Sequence, residues 1–144
     1  MATQPDAFTA PMPSTGRKLF TLDEANSALP YVERVVADIR EAYRIAVDLQ
    51  HRLEFPAPDD EPNDVQLEYD HVVQELNRYV DELNQVGVEL KDYDMGLVDF
   101  PSLHEGREIY LCWKTGEKTI LAWHEVEAGF AGRQNIDCLC RHTA

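Results

Sequence analysis

From Val32 onward, apolar side chains recur at alternating steps of three and four: Val32, Val35, Ile39, Ala42, Ala46, Leu49 and Leu53. That spacing draws one seam along a helix about 37 Å long at 1.5 Å per residue. Val65, Tyr69, Val72, Leu76, Tyr79, Leu83 and Val86 keep the same rhythm. The intervening Glu54 to Asn63 is acidic and holds Pro56, Pro58 and Pro62, a turn composition. An antiparallel helical hairpin over residues 30–86 follows. Ala42 and Ala46 leave room at its middle for the bulkier Tyr69, Val72 or Tyr79. Val36, Tyr43, Val47, Val73 and Val80 lie beside the seams and widen each stripe beyond what a two-helix contact covers. A further layer is expected there: the C-terminal block, a second subunit, or both.

Upstream, Thr21 and Glu24 have capping-box spacing and Phe20 is placed as a hydrophobic staple, which predicts a short helix through Ala25 and Leu29. Pro30 cannot donate a backbone hydrogen bond, so a break or kink near Ala28–Leu29 is expected, with the long helix starting at Pro30. Gly87 supplies the C-cap of the second helix.

Beyond Gly87 the period changes to two. Val88 to Leu90 and Leu97 to Phe100 are short strand candidates around the polar turn Asp92 to Gly96, and Pro101 closes the second. Glu108 to Lys114 and Thr119 to Glu125 form the strongest hairpin candidate, joined through Thr115 to Lys118. A loop of two or four residues places Ile109, Leu111, Trp113, Ile120, Ala122 and His124 on one face. Tyr110, Cys112, Leu121, Trp123 and Glu125 then take the other. Both faces are apolar, so the helices should cover one and the Glu127 to Gln134 segment the other. The fold class is therefore α+β: a long antiparallel helical hairpin packed with a small antiparallel β-sheet. Its parts are a disordered tail over 1–16, one domain over 17–134 (helical hairpin 30–86, β block 88–134), and a flexible tail over 135–144.

A chain of 144 residues with 44% hydrophobic content suits one core without staples. Thirteen Lys and Arg against 27 Asp and Glu leave a formal charge of -14, which repels phosphate backbones and anionic lipid headgroups. Neither nucleic acid nor a membrane surface is expected as a partner. The start carries neither a basic run nor an apolar stretch of signal-peptide length, and no later stretch approaches a membrane span. Three cysteines without export signals read as reduced thiols in a cytoplasm.

The words GVELKDYDMGLVDFPSLHEGREIYLCWKTGE and AWHEVEAGFAGRQ, with FTLDEANSALP near the start, closely resemble the bacterial domain-of-unknown-function 2203 family over Lys18 to Gln134. The resemblance implies a small cytoplasmic bacterial protein. It brings no activity, cofactor or catalytic residue to place on this chain. Cys138, Cys140 and His142 lie in a tail outside the pattern.

Candidate chemistry concentrates between Val88 and Gln134. His124 and Glu125 are adjacent on a strand and point to opposite faces, so both cannot ligate one metal without a bulge. His104, in a connection before Gly106, could fold toward His124 and complete a metal set with Asp99 or Glu125. The bland reading of His124 is a core or rim histidine bonded to a carboxylate, and it is the stronger one. Asp92 and Asp94 suit turn hydrogen bonds better than a cation site. Arg107, Arg133 and Gln134, with Trp123, form a candidate ligand-binding set in which a guanidinium could clamp a carboxylate or other anion. Ion pairs with the many acids compete with that reading. Cys-x-Cys-x-His over Cys138 to His142 is one donor short of a closed zinc site. Cys112, in mid-strand, reads as a small buried hydrophobe. No nucleophile elbow, phosphate loop or dinucleotide fingerprint appears, so no cofactor is indicated.

Two function classes follow. The first is a non-enzymatic binding or protein-interaction module that presents the helical hairpin, most simply as a homodimer. The second is a small metal- or ligand-binding enzyme built from His104, His124, Asp99 and Glu125 with Arg107 or Arg133. Convergence of those side chains in space separates the two.

Overall fold

Two long helices form first in the chain, α1 over Leu22–Glu54 and α2 over Pro62–Val86. The computed structural model describes residues 18–142, with side chains to Leu139, so the N-terminal tail expected over 1–16 and the side chains of Cys140 and His142 lie outside the described residues. Thr21 and Glu24 close the expected capping box, each accepting the other's backbone N–H at 3.0 Å. The break expected at Pro30 does not occur: one helix runs through it. Its cost, about 3 kcal/mol in a helix interior, is offset by tertiary anchors on the preceding turns. Phe20, Ala25 and Leu29 are buried there, and the Asn26 side chain bonds the distant backbone of Ile120.

The expected hairpin is present. Val35, Ile39, Ala42, Ala46 and Leu49 of α1 and Val65, Val72, Leu76 and Leu83 of α2 are all buried. Gly87 ends α2 in the left-handed region (φ 100°), where its N–H and that of Val88 both reach the Leu83 carbonyl at 3.0 Å. Of the residues flanking the seams, Val36 and Val80 are buried and Tyr43 stacks on Tyr93 of the β block at 5.2 Å. The sheet is thus the further layer that the wide stripes require. Beyond Tyr43 the hairpin continues as a two-helix arm on which Ile45, Val47 and Leu67 are exposed.

The β block is a five-stranded antiparallel meander: β1 Glu89–Asp92, β2 Leu97–His104, β3 Arg107–Lys114, β4 Ala122–Glu125 and β5 Gln134–Asn135, hydrogen-bonded in that order. It is a larger sheet than the sequence pattern predicts. β2 passes through Pro101 instead of stopping there, because β1 reaches only as far as Asp99 and no strand needs the missing N–H. In its place Phe20 approaches, its N–H donating to the Pro101 carbonyl at 2.7 Å while Ser102 Oγ donates to the Phe20 carbonyl at 2.5 Å. Glu105 (φ 52°) and Gly106 (φ 78°) then make a two-residue turn into β3.

The register of β4 differs from the expected one. Tyr110 pairs with His124 and Leu111 with Trp123, so His124 shares a face with Tyr110 and Cys112, not with Leu111 and Trp113. Strand pairing resumes only at Ala122, leaving a connection of seven residues, 115–121, where the sequence reading assumed an even number. An odd count flips every side chain of the strand. The cause is local. Glu117 folds back to accept Lys114 N–H and Trp113 Nε1–H, and Ile120 leaves the ladder to bury its side chain and give its N–H to Asn26 Oδ1 at 2.9 Å.

Val98, Phe100, Ile109, Leu111, Trp113 and Trp123 therefore form the inner face and share one core with the helices. Leu97, Asp99, Tyr110, Cys112, Ala122 and His124 form the outer face. Where a flexible tail is expected from residue 135, the chain instead completes β5 and forms α3 over Ile136–His142. Ile136 anchors it, donating its N–H to the Leu121 carbonyl at 2.9 Å.

Candidate functional site

An aspartate inside the buried run Leu97-Val98-Asp99-Phe100 has to find a partner, because an isolated buried carboxylate is costly. Its partner is His124. The register brings His124 Nε2 to 3.0 Å from Asp99 Oδ2, with each side chain only 2–3% exposed. The other ring nitrogen, Nδ1, lies 2.7 Å from the Glu125 carbonyl. A carbonyl only accepts, so Nδ1 carries a hydrogen and Nε2 faces the carboxylate either protonated or with its lone pair. Burial disfavours the charged ring, but the Asp99 carboxylate and the Glu125 carbonyl outweigh it and raise the His124 pKa. The arrangement is a buried histidine–carboxyl pair.

Cys112 lies beside the pair. Its sulfur, His124 Nε2 or Nδ1 and an Asp99 oxygen lie within 4.8 Å of one another, all three residues buried. Burial, joined by the Asp99 carboxylate, pushes the thiol up to about 11, against the pull of Arg133. The Arg133 Nε donates to Cys112 Sγ at 3.3 Å, and its terminal nitrogen pairs with Glu117 at 2.7 Å. Asp99 Oδ1 is buried with no hydrogen-bond partner among the described residues.

Above this floor is a cleft of about 350 Å³, lined by Lys91, Tyr110, Asp99 and His124 on its polar side and by Met95, Leu97, Val126 and Phe130 on its apolar side. Lys91 Nζ sits 2.9 Å from Glu89, which also accepts from the Tyr110 hydroxyl at 3.1 Å. Burial opposes the Lys91 charge, yet Glu89 raises its pKa. The 127–134 segment does cover this face, but loosely: Val126 and Phe130 are themselves partly exposed at the cleft edge.

The candidate residues of the sequence divide between two places. Asp99 and His124 meet on the outer face. His104, Arg107, Trp123, Glu125 and Gln134 line a second cleft of about 300 Å³ with Glu105, Cys138 and Leu139. His104 pairs with Arg107 in the ladder, which gives it the inner-face parity and turns it away from His124; its ring nitrogen is 3.7 Å from Glu105. Glu125 likewise faces away from His124, as the strand alternation predicts, and takes Arg107 as an ion pair at 3.1 Å. Arg133 belongs to neither cleft and is held by Glu117 and Cys112. Trp123 packs in the core with Nε1 unpartnered among the described residues. Asp92 serves its turn, accepting the N–H groups of Asp94 and Met95 at 2.9 and 2.8 Å. Cys112 and Tyr110 are the site residues that sequence reasoning missed; the charged Asp99 in an apolar run was the signal that something polar faced it.

These elements define an α+β protein in which a helical hairpin backs a five-stranded meander and the sheet's outer face carries a buried polar cluster under a cleft. Residues 18–136 match the family model described as "Uncharacterized conserved protein (DUF2203)", and the chain belongs to that family. No curated protein and no solved structure matches it. Among the described residues, no helix is long and apolar enough to cross a membrane.

Proposed function

We propose that the protein is a binding module whose ligand seats in the outer-face cleft, with the His124–Asp99 pair as its floor. The observation that carries this reading is the buried pair itself. A concave, largely apolar site with a few convergent polar groups is the usual form of a small-molecule site. Both ring nitrogens of His124 already engage protein groups, which fits binding and orientation better than proton shuttling. The acidic surface disfavours nucleic acid and anionic membranes as partners. A cytoplasmic setting suits the reading, since Cys112 is kept as a thiol there.

The experiment is a titration of ¹⁵N-labelled protein with small aromatic fragments that each carry one polar group, followed by amide chemical shifts. Shifts gathered on Lys91, Leu97, Tyr110, Gly129 and Phe130 are expected. Fragments that leave these amides unmoved, or that act on the hairpin arm, would remove the reading.

A second reading, self-association through the arm, is favoured by the exposed Ile45, Val47 and Leu67 beside a seam already satisfied within the chain. In this reading the hairpin arm is the contact surface of a homodimer.

A further inference from the structure

We propose that Asp99, Cys112 and His124 are the protein ligands of a transition-metal ion of the zinc class, its remaining coordination position open to the outer-face cleft. The inference rests on the binding reading above and names the ligand of that same floor.

Five observations carry it. The donors are an imidazole nitrogen, a thiol sulfur and a carboxylate oxygen, the mixture that zinc takes, and they converge within 4.8 Å. Donors around a tetrahedral zinc at about 2.0 to 2.3 Å stand about 3.3 to 3.6 Å apart, so the 3.0 Å between Nε2 and Oδ2 must open by a few tenths of an ångström while the set, spread within 4.8 Å, draws in by about an ångström at its widest. The Glu125 carbonyl fixes the hydrogen on Nδ1, the outer partner that metal-bound histidines ordinarily have, and leaves Nε2 as the ligating atom. Asp99 Oδ1 is buried without a hydrogen-bond partner among the described residues and lies in a residue that lines the cleft. Arg133 Nε, 3.3 Å from Cys112 Sγ, can donate to the thiolate once it forms.

In the metal-free protein a single proton shared between Nε2 and the Asp99 carboxyl holds the two at 3.0 Å. A dication entering from the cleft takes its place. The proton shared by Nε2 and Asp99 and the Cys112 thiol proton leave to solvent, and the two lost protons balance the charge of the ion. Three protein ligands and one position facing a cleft are the pattern of zinc sites that accept a water or a further ligand.

Cobalt(II) is the probe, because tetrahedral cobalt absorbs in the visible and a cobalt–thiolate bond adds a near-ultraviolet charge-transfer band. Full-length untagged protein, stripped with chelator, is titrated with cobalt(II) alongside a Cys138→Ser, Cys140→Ser double variant. The chain has 3 cysteines, so a thiolate band in that variant can come only from Cys112, and no core residue need be altered. The expected result is one equivalent of cobalt in both proteins, with the thiolate band intact in the double variant and displaced by zinc. Arg133→Gln should retain the band and weaken binding by about tenfold to a hundredfold. Absence of binding, binding without a thiolate band, or a band lost in the double variant would each overturn the proposal. The fragment titration in metal-free protein is independent of that outcome, so failure of the metal site and failure of the cleft reading are told apart.

Discussion

The Glu125 carbonyl holds His124 Nδ1 at 2.7 Å and so aims the opposite edge of the ring at Asp99. One backbone oxygen thereby sets the tautomer of the most deeply buried titratable ring among the described residues. With the hydrogen assigned to Nδ1, the short contact to Asp99 Oδ2 is attractive only when a cation, proton or metal, lies between the two.

The first prediction is the pH dependence of the metal-free protein. The His124 pKa is raised on folding, despite burial, by Asp99 and the Glu125 carbonyl. A group with a raised folded pKa binds its proton more tightly in the folded state. Its stabilising contribution is complete below the unfolded value near 6.5 and is lost as pH rises through the higher folded value. Urea titrations in chelator from about pH 6 to about pH 9 should give falling stability, and the fall should flatten in His124→Gln. A wild-type slope indistinguishable from the variant's would contradict the ion-pair assignment.

Leu76 is fully buried in the helical seam. Leu76→Ala should cost about 2 to 5 kcal/mol, the range of large-to-small core changes. Denaturant titration measures it, and a loss below about half a kcal/mol would contradict the seam.

Asn26 is the third target. Its Oδ1 accepts the Ile120 N–H at 2.9 Å across 94 residues of sequence. Asn26→Ala should cost about 1 to 3 kcal/mol, because the partly buried N–H loses its acceptor. The same variant should broaden or split the His124 and Trp123 resonances if the bond holds the β4 register. Unchanged spectra with lost stability would reduce its role to a simple hydrogen bond.

The arm supplies the fourth. If the exposed Val47 and Leu67 lie in a contact between two copies, light scattering after size exclusion should give a dimer mass for the wild type. Val47→Lys with Leu67→Lys should return it to a monomer. A monomer mass for the wild type at high concentration would end the self-association reading.

The helical hairpin was legible in the sequence because its signal is local: a three-four rhythm is visible without knowing what lies opposite. Residues such as Val36 and Tyr43 announced a further layer for the same reason, although Tyr93 as the partner of Tyr43 could not be read. Pro30 misled, since local helix chemistry opposed what the burial of Phe20, Ala25 and Leu29 enforces. The site was half legible. Asp99 and His124 stood out as polar residues in apolar strands, but their meeting depends on whether an odd or an even number of residues links the paired ends of β3 and β4, and that register is set by Glu117 and Asn26 through tertiary bonds. Cys112 reads as a buried hydrophobe and is fully buried, but its polar neighbours come from β2 and from Arg133, which no local pattern shows.

The Asn26–Ile120 bond also implies an order of events in folding. The hairpin of α1 and α2 needs only a short connection and can form early, whereas β4 finds its register through a residue near the start of α1, a closure that brings together distant parts of the chain. Until that closure, a one-residue slip of β4 would present Trp123 to the outer face and His124 to the core. Native contact between His124 and Asp99 is therefore expected late in folding, after the topology that aligns the two strands.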